Sequence, residues 1–250
     1  MIIQLTQNDQ NYTVDLAAPI DISIALRNDA PDAVTCFYAP PFSFAPHKVG
    51  DWIGAVAAGA PVNFMDVRLN PHGNGTHTEC VGHIAPEVFS INNALREFHF
   101  IAKLITLYPQ KQDNGDRVIT HAQIAEVLRE SEVKVLIIRT LPNETDKLTR
   151  NYSGTNPPYL AADAAAYIVD CGVEHLLLDL PSVDREEDEG KLAAHHVFWQ
   201  YPHAPRHHAT ITELVFVPNT VRDGVYLLNL QIAAFPLDAS PSKPVLYRLL

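Results

Sequence analysis

The feature that most constrains this chain is a histidine-rich segment at residues 70–84, which reads NPHGNGTHTECVGHI. It contains His72, His77, Glu79 and His83, and imidazole and carboxylate groups are the usual ligands of zinc and similar divalent ions. Its glycines can adopt positive φ angles, so the backbone can turn tightly and aim several side chains at one point. In an extended segment residues two apart face the same way, so we expect His77 and Glu79 to point together. The alternative interpretation is a polar surface loop whose histidines bind nothing.

Composition limits the classes of protein to consider. A chain of 250 residues can bury a full core. Its net charge of −11 argues against a nucleic-acid or anionic-membrane partner, so we expect a small-molecule substrate. Three cysteines are a sparse, odd set that is typical of free thiols in a reducing compartment. The first residues show no secretory pattern, and no stretch approaches the roughly 18 apolar residues of a membrane helix, so we expect a cytoplasmic protein.

Strand-like and helix-like patterns together predict an α/β class, with one domain over residues 1–250 and a mixed β-sheet with interspersed helices. Strand Val133–Arg139, helix Leu160–Asp170 (ended by Gly172) and strand His175–Leu180 form the crossover pattern of parallel strands. The capping box beginning at Thr120 predicts a helix to about Glu130. Further elements are predicted at Ile2–Leu5 and Tyr12–Leu16 (a hairpin), Ala33–Tyr38, Val62–Leu69, Phe100–Leu107, Lys191–Trp199 (a helix), Ile211–Val217, Val225–Phe235 and Val245–Leu249. The proline-rich segment Pro31 to Pro46 is predicted to be a covering loop.

A second group of possible ligands lies more than 100 residues further along the chain. It follows the sequence LPSVD at residues 180–184, which comes after a predicted strand, where α/β proteins place functional loops. The group comprises His195, His196, His203, His207, His208 and Glu213. Each has a simpler interpretation, because a histidine pair on a surface helix is usually only solvated. The acidic run at residues 186–189 is likewise typical of a solvated loop.

These residues carry a resemblance to a known family. The loop resembles the signature His-x-Gly-Thr-His-x-Asp-x-Pro-x-His of the cyclase family, which includes bacterial kynurenine formamidase and isatin hydrolase. Gly75-Thr76-His77 matches Gly-Thr-His, and His83 stands six residues after His77, as the last histidine of the signature does. Val14–Ile20 resembles the opening strand and turn of the family, Val135–Thr140 its central strand, and Leu178–Asp184 its second signature.

The resemblance implies a cyclase-family (swivelling β/α/β-like) fold and a role for each matching residue. His72 and His77 would bind a first metal, Glu79 would bridge towards a second, and His83 would be a ligand or the general base. His195 and Glu213 match the later histidine and glutamate of the family and would complete the site, with Glu213 as a further candidate base. Because these two are eighteen residues apart here, and twelve in the family, His207 or His208 competes with His195. The implied cofactor is a divalent metal, zinc first and manganese second, and the implied assembly is a homodimer or homotetramer.

Three departures separate this chain from the signature. The first two histidines are five residues apart instead of four, and the position four before His77 is Gly73, which cannot ligate. His72 therefore reaches the site only if the turn after it carries a one-residue bulge. Glu79 replaces a shorter aspartate, and Val81 replaces the signature proline. The departures predict a distinct subfamily with altered metal geometry.

The chemistry expected of such a site is metal-assisted hydrolysis. A bound divalent ion lowers the pKa of water from about 15.7 towards about 7, and a nearby base, His83 or Glu213, takes the proton and delivers it to the leaving nitrogen. Thr76 is a candidate for orienting ligands or stabilising an oxyanion. From the residues alone this is carbonyl hydrolysis or hydration, and the resemblance implies a carbon–nitrogen bond in an amide, formamide or cyclic amide.

Three alternatives stay open. One is a thiol hydrolase in which Cys80 is the nucleophile and His83 the base, although a neighbouring acid at Glu79 would raise the pKa of the thiol. Another is a non-catalytic protein that binds a metal or small molecule, and the third is a purely structural dimer module. Five aromatic residues near the proline-rich segment are expected first in the core, and otherwise at a substrate pocket or a dimer interface: Phe37, Tyr38, Phe42, Phe44 and Trp52.

Overall fold

A computed structural model describes residues 1–7, 10–28 and 32–250. The strands are β1 (Ile2–Gln7), β2 (Gln10–Asp15), β3 (Ile20–Asp21), β4 (Ser43–Pro46), β5 (Lys48–Val49), β6 (Trp52–Ile53), β7 (Met65–Arg68), β8 (His77–Glu79), β9 (His99–Leu107), β10 (Gln110–Lys111), β11 (Arg117–Ile119), β12 (Val135–Thr140), β13 (Tyr159–Leu160), β14 (His175–Leu178), β15 (Thr210–Glu213), β16 (Gly224–Ile232) and β17 (Ala239–Arg248). The α-helices are α1 (Ile91–Ala94), α2 (His121–Val127), α3 (Ala162–Asp170) and α4 (Ala193–Trp199). No helix among the described residues is long and apolar enough to cross a membrane.

The main sheet closes on itself. Its strands follow the order β16-β9-β12-β14-β15-β8-β17, and β17 pairs with β16 to complete a barrel, while β3 adds to the edge of β17. Strands β9, β12, β14 and β15 are parallel neighbours, and β8, β16 and β17 join through antiparallel pairings. Closure removes the exposed strand edges of an open sheet.

Apolar side chains alternate between two cores across this sheet. In β12, Leu136 and Ile138 pack into a cluster with residues of α2, α3 and α4. Val135 and Ile137 point the opposite way, into a cluster with β9, β16 and β17. Val135–Thr140 is fully buried, and its apolar run Val135–Ile138 is typical of a strand that is covered on both faces. The helices therefore cover one face of the parallel strands, and the candidate site lies on that face.

The predicted mixed α/β class is confirmed, and most predicted elements are present with shifted ends. The crossover of β12, α3 and β14 is present, and Thr120 caps α2 in a capping box with Gln123. Helix α2 ends at Val127 instead of about Glu130. The hairpin of β1 and β2 forms as predicted, although part of its turn lies outside the described residues. Strand β17 begins six residues before the predicted Val245, at Ala239, because it pairs with β8 as well as with β16.

Two strand predictions near the proline-rich segment are wrong or only partly right. No strand forms at Ala33–Tyr38, where Thr35 makes a single bridge to Asn151. Phe37 and Tyr38 both have φ of 53°, a left-handed conformation that a strand cannot contain. The predicted strand Val62–Leu69 shrinks to β7, which is exposed along its length and pairs with β4 outside the barrel. Pro31 lies outside the described residues.

Candidate metal centre

Strand β8 presents the first two site residues. His77 and Glu79 are two residues apart on a strand, so both side chains point to the same face. In the antiparallel pairing with β15, His77 stands opposite Glu213, which brings its carboxylate to that face as well. All three side chains are buried. The histidine segment, predicted as a loop, is thus extended at its centre, and its pairing with β15 brings a glutamate 136 residues beyond His77 to the site.

The orientation of His77 leaves one ring nitrogen available as a ligand. Its Nδ1 lies 2.9 Å from the carbonyl oxygen of Gly75, and because a carbonyl only accepts, Nδ1 carries the hydrogen. With the hydrogen on Nδ1, Nε2 is the nitrogen whose lone pair can bind a metal. It is buried without a hydrogen-bond partner, 3.4 Å from Oε2 of Glu213. Imidazoles that bind metals are commonly held in this way by a second hydrogen bond to a carbonyl or carboxylate.

Glu79 lies at the centre of the cluster. Its Oε1 is 3.1 Å from Nε2 of His195, and its Oε2 is 3.0 Å from Nδ1 of His72 and 3.8 Å from Nδ1 of His83. The contact with His72 has ion-pair distance but no hydrogen-bond geometry, and Oε2 is buried without a hydrogen-bond partner. A buried carboxylate oxygen without a partner is costly unless a charged group compensates it. This oxygen and Nε2 of His77 are two unpartnered ligand atoms in one cluster, and they fit a divalent cation.

The segment before β8 carries His72 to the same place despite its unusual spacing. The carbonyl of His72 accepts a hydrogen bond from the thiol of Cys36 at 3.2 Å, and the carbonyl of Gly73 accepts one from the amide of Cys36 at 3.1 Å. A Cβ on Gly73 would lie 2.3 Å from Cβ of Ala39, so only glycine allows this close approach. Gly73 thus occupies the position of the missing family histidine as a packing residue, and the turn places His72 in the cluster.

Helix α4 delivers His195. Asp184 accepts hydrogen bonds from the amides of Ala194 and His195 at 2.7 and 3.1 Å, and so fixes the start of the helix. The same carboxylate accepts a hydrogen bond from Nδ1 of His195 at 2.7 Å, which turns Nε2 towards Glu79. The ring also packs against Trp199, with centroids 5.3 Å apart. One carboxylate therefore sets both the backbone position and the ring orientation of His195.

The other late histidines lie elsewhere. His196 and His203 line a separate cavity beside α3, and His208 lines another with the buried His175. His207 packs against the ring of Phe89, with centroids 4.8 Å apart. The structure therefore brings His195 to the cluster and neither His207 nor His208.

Two carboxylates of the site were missed by the sequence analysis. Asp238, just before β17, lies 2.8 Å from Nε2 of His72 and 3.5 Å from Nδ1 of His83. It reaches the site because the next residue, Ala239, pairs with Glu79. No sequence motif marks this lone aspartate, because its place in the site depends on a pairing between two strands that are distant in sequence. Asp184, by contrast, stood in the recognised LPSVD segment and could have been assigned as the partner of a later histidine.

Carboxylates dominate the electrostatics of the cluster. Burial by itself would lower the pKa of His72, but a hydrogen bond to Asp238 and the charge of Glu79 raise it to about 10. Burial likewise opposes protonation of His195, whereas its contacts with Asp184 and Glu79 raise its pKa to about 10. When no cation is bound, the protonated imidazoles therefore balance the charge of the carboxylates. A divalent cation would displace the protons from these imidazoles.

The carboxylates themselves are shifted in different directions. Burial would raise the pKa of Glu79, but the charge of His83, the hydrogen bond with His195 and the close contact with His72 hold it well below its usual range. Burial and the charge of Glu79 raise the pKa of Glu213. Hydrogen bonds with His72 and His83 lower the pKa of Asp238. Two buried carboxylates beside several imidazoles are a donor set that suits zinc or manganese.

The possible ligands form three overlapping groups whose donor atoms lie within 4.8 Å of one another. These are His72–His77–Glu79, His72–His83–Asp238 and Glu79–His83–His195. Among the described residues, Glu79 belongs to the first and third groups and His72 to the first and second, so the arrangement has room for more than one position of a cation. Glu213 lies at the edge of the cluster, where its Oε1 accepts a hydrogen bond from the amide of Val183 at 3.0 Å.

A cavity of about 760 Å³ opens onto the cluster. His72, His83, His195 and Glu213 form part of its wall, and the remainder comes from three segments: Phe37 and Ala39, Asn70 and Gly73, and the acidic loop with its flanks at residues 182–192. Among the site histidines, His83 has the largest exposed fraction of its side chain, 30%. It is therefore the site histidine that is best placed to contact a water or a substrate in the cavity.

Cys80 and Thr76 do not face the cavity. Cys80 follows Glu79 on the strand, so its side chain points to the opposite face and packs in the other core. Burial raises the pKa of its thiol to about 11, which opposes formation of a nucleophilic thiolate. The Thr76 hydroxyl accepts a hydrogen bond from the amide of Ile24 at 2.7 Å and donates to the carbonyl of Leu214, so it is used in packing rather than in stabilising an oxyanion.

Residues 14–185 match the sequence model of a family described as "Putative cyclase". The chain belongs to this family. The resemblance found in the histidine segment is thereby confirmed over more than half of the chain.

Relatives of this cyclase-family chain agree with that assignment. The kynurenine formamidases of Bacillus mycoides and Bacillus cereus are 34% and 36% identical to it over 89 and 90 residues. Each alignment covers 36% of this chain and 39% of the relative, so the chain spans about two-fifths of the length of those relatives. Isatin hydrolase A from Labrenzia aggregata has the same fold, with a TM-score of 0.64, 14% identity and coverage of 93% of this chain and 95% of that one. The solved structure of a potential metal-dependent hydrolase with cyclase activity gives a TM-score of 0.65 at 16% identity, covering 92% of this chain and 97% of that one.

Proposed function

We propose that this protein is a metal-dependent hydrolase of carbon–nitrogen bonds in amides, formamides or cyclic amides. The observation that carries the proposal is the pair of buried, unpartnered ligand atoms, Nε2 of His77 and Oε2 of Glu79, at the base of an open cavity. A surface loop of solvated histidines would leave neither atom buried. A structural module would have no reason to keep this many charged groups at the base of a cavity.

In this proposal His72, His77, Glu79 and His195 are the metal ligands, shared between the overlapping groups, with His83, Asp238 and Glu213 around them. A divalent ion bound there would polarise the scissile carbonyl and lower the pKa of an adjacent water. Zinc is the first candidate and manganese the second, because the donors are imidazole nitrogens and carboxylate oxygens. Asp184 holds His195 in the orientation that the site needs.

His83 is the proposed general base. Its ring lies between those of His72 and His195, with centroid distances of 4.3 and 5.3 Å, and it reaches the cavity. It would take a proton from water as the water oxygen bonds to the carbonyl carbon, and give that proton to the nitrogen as the C–N bond breaks. The products are a carboxylic acid and an amine. Glu213 is the second candidate for this role, although its carboxylate already accepts a hydrogen bond from Val183.

The substrate class rests on the relatives. The relatives above are named kynurenine formamidase and isatin hydrolase, and these names indicate a formamide and a cyclic amide. Cytoplasm is the proposed location, supported by three cysteines that are buried and free.

The test combines metal analysis with a substrate panel. Protein purified without chelator is analysed for bound metal and assayed with N-formylkynurenine, isatin, simple lactams and esters. His195→Ala and His196→Ala are compared, because these neighbours on α4 differ in that only His195 reaches Glu79. We expect His195→Ala to lose at least about a hundredfold in turnover or metal affinity, and His196→Ala to resemble the wild type. Bound metal with no turnover across the panel would favour a non-catalytic binding protein, and a protein that binds no metal would refute the proposal.

A further inference from the structure

Arg185 stands on the wall of the metal-site cavity, and two neighbours fix its guanidinium. It follows Asp184, the residue that orients His195. Its Nε lies 3.2 and 3.1 Å from the two carboxylate oxygens of Asp116, and its Nη1 donates a hydrogen bond of 2.6 Å to the carbonyl of Glu187. The side chain is nonetheless 41% exposed. The arginine is therefore held in place and remains accessible.

The carboxylate that holds this arginine is itself fixed by the protein. Asp116 precedes β11, and only 2% of its side chain is exposed. It accepts hydrogen bonds from the side-chain amides of Asn114 and Asn156, at 2.8 and 2.9 Å, and from the hydroxyl of Tyr159 at 3.1 Å. The hydrogen bond from Asn156, joined by those from Arg185 and Tyr159, holds the pKa of Asp116 below its usual range against the effect of burial. A fixed, charged carboxylate keeps the arginine in one orientation, which lowers the cost of binding a ligand there.

Part of the guanidinium is free to bind a ligand. The contacts above use Nε and one hydrogen of Nη1. Within residues 1–7, 10–28 and 32–250, Nη2 of Arg185 donates to no acceptor. Both hydrogens of Nη2 and the second hydrogen of Nη1 are therefore available. Paired N–H donors of this kind are how arginine recognises a carboxylate.

The acidic loop beside the arginine, at residues 186–189, is not simply solvated. Glu186 accepts hydrogen bonds from the backbone amides of Gly154 and Asn156, at 2.6 and 3.1 Å. Asp188 accepts hydrogen bonds of 2.6–3.2 Å from the three backbone amides at residues 190–192. The interpretation of this run as a solvated loop is therefore wrong for Glu186 and Asp188, whose charges are partly offset by these amides.

The other two carboxylates of the loop are exposed. Glu189 pairs with Lys191 at 2.9 Å. In the described part of the chain, the carboxylate of Glu187 has no ion-pair partner, so it is the group that would favour a cationic ligand. Arg185 has the advantage over it, because the arginine is fixed beforehand and the glutamate side chain is free to turn to solvent.

An aromatic side chain adds an apolar surface to the same cavity. Four of the five aromatic residues that were expected in the core are 39–76% exposed, so that expectation is wrong for Phe37, Tyr38, Phe44 and Trp52. Phe37 lines the cavity, which favours the substrate-pocket alternative for this residue. The cavity thus offers a metal cluster, an apolar ring and a fixed guanidinium, the combination of apolar wall and few polar groups that orients a small ligand.

We propose that Arg185 is a specificity-determining residue that binds a carboxylate on the substrate, so that the protein acts on amides that carry an anionic group. Calling the ligand a substrate rests on the proposed hydrolytic function, whereas the anion site can be tested by binding alone. The carboxylate would accept two N–H hydrogen bonds from the guanidinium while the amide carbonyl lies at the metal cluster. Holding the molecule at both ends would align the C–N bond with the cluster.

Aryl ketones test the anion site without hydrolysis, because they have no C–N bond to the carbonyl. Acetophenone, 3-acetylbenzoate and 3-acetylbenzylamine place no charge, a carboxylate and an ammonium on the same ring. Their dissociation constants are measured by NMR titration of the protein as purified. The wild type should bind 3-acetylbenzoate at least about tenfold more tightly than acetophenone. Arg185→Met should lose this difference, and Arg185→Lys should keep part of it, because lysine retains the charge without the paired donors.

Arg117→Met is the matched control. Arg117 follows Asp116, lies outside the cavity wall and donates a hydrogen bond of 3.2 Å from Nη2 to the carbonyl of Asn156. The variant therefore removes one positive charge and one contact with the same supporting loop. It should bind the three ketones as the wild type does.

Steady-state kinetics separates substrate binding from a structural role. Arg185→Met should raise KM for 3-formamidobenzoate at least about tenfold with little change in kcat, because a contact that is equally strong in the ground and transition states affects KM alone. Constants for formanilide, which lacks the carboxylate, should not change. Equal losses with both formamides would indicate a merely structural arginine and overturn the proposal.

The binding experiment decides the proposal even when neither formamide is hydrolysed. Equal affinity of the wild type for 3-acetylbenzoate and acetophenone would overturn it. A preference for 3-acetylbenzoate that survives in Arg185→Met would place the carboxylate on the metal instead, and tighter binding of 3-acetylbenzylamine would assign the site to Glu187. A preference that disappears in Arg185→Met, in a protein that hydrolyses no amide, would support the anion site and count against the hydrolytic function.

Discussion

His175 makes the stability of the protein depend on pH in a way that can be isolated. The ring is buried at the start of β14, where Nδ1 lies 2.9 Å from the Thr210 hydroxyl and the ring packs against Phe100 with centroids 4.6 Å apart. Burial lowers its pKa from 6.5 to about 4. The unfolded chain therefore takes up a proton at this residue between about pH 6.5 and pH 4 that the folded chain does not, and the folded state loses stability as pH falls through that window.

The size of the effect follows from the shift. A displacement of about 2.5 pKa units corresponds to about 3 kcal/mol below pH 4, of which about 2 kcal/mol is lost between pH 7 and pH 5. For a chain of 250 residues this is a fall of about 4–8 °C in melting temperature. Other groups titrate over the same range, so the informative quantity is the difference between variants. His175→Asn removes this titration, and His207→Asn is a matched control because His207 is exposed.

Urea unfolding at pH 7 and pH 5 provides the measurement. His175→Asn should lose about 2 kcal/mol less on acidification than the wild type, whereas His207→Asn should follow the wild type. The absolute stability of His175→Asn does not matter, because each protein is compared with itself at two pH values. An equal loss of unfolding free energy in His175→Asn and in the wild type would refute the assignment of a buried neutral imidazole.

Three further predictions concern the site and the core. Glu79→Gln removes the central charge of the cluster, so metal affinity measured by calorimetric titration should fall at least about tenfold. The circular dichroism spectrum should be unchanged, and an unaltered metal affinity would count against Glu79 as a ligand. Cys80→Ala should retain most of the turnover measured with the substrate panel, since the thiol faces the core, and full inactivation with metal retained would make the thiol mechanism the better one. Lys147→Met leaves the buried carboxylate of Asp179 without the ammonium that lies 2.7 Å away, so the unfolding free energy should fall by about 3–5 kcal/mol. A loss below about 1 kcal/mol would contradict a stabilising role for this buried ion pair.

Residue chemistry and a family signature predicted much of the site. The three histidines and the glutamate of the loop could be grouped from sequence because they lie within twelve residues and only a few chemistries use such a set. His195 and Glu213 were selected by order along the chain after the resemblance was recognised. The choice between His195 and His207 could not be made from sequence, because it depends on Asp184, which fixes both the start of α4 and the ring of His195.

Non-local pairing set the limit of sequence-based prediction. Asp238 enters the site only because β17 pairs with β8, and no local pattern encodes that contact. Closure of the barrel depends in the same way on β16 meeting β9, which lies far earlier in the chain. The segment at Ala33–Tyr38 has a strand-like composition, but its backbone turns left-handed at Phe37 and Tyr38. Tertiary contacts outweigh local propensity at such positions.

The most direct test of the proposed metal centre is the metal content of His77→Ala. Nε2 of His77 is unpartnered and Nδ1 bonds only the nearby carbonyl of Gly75, so the substitution should remove a metal ligand while breaking a single hydrogen bond. Wild type and variant are stripped with chelator and reloaded with zinc or manganese, and their metal content is measured by mass spectrometry. Circular dichroism confirms folding, and His77→Gln serves as a second variant whose side chain is closer in volume to histidine. The wild type should bind one or two ions per chain, and both variants should lose at least one of them together with hydrolytic activity. Full metal occupancy in folded His77→Ala and His77→Gln would contradict the assignment of this cluster as a metal centre.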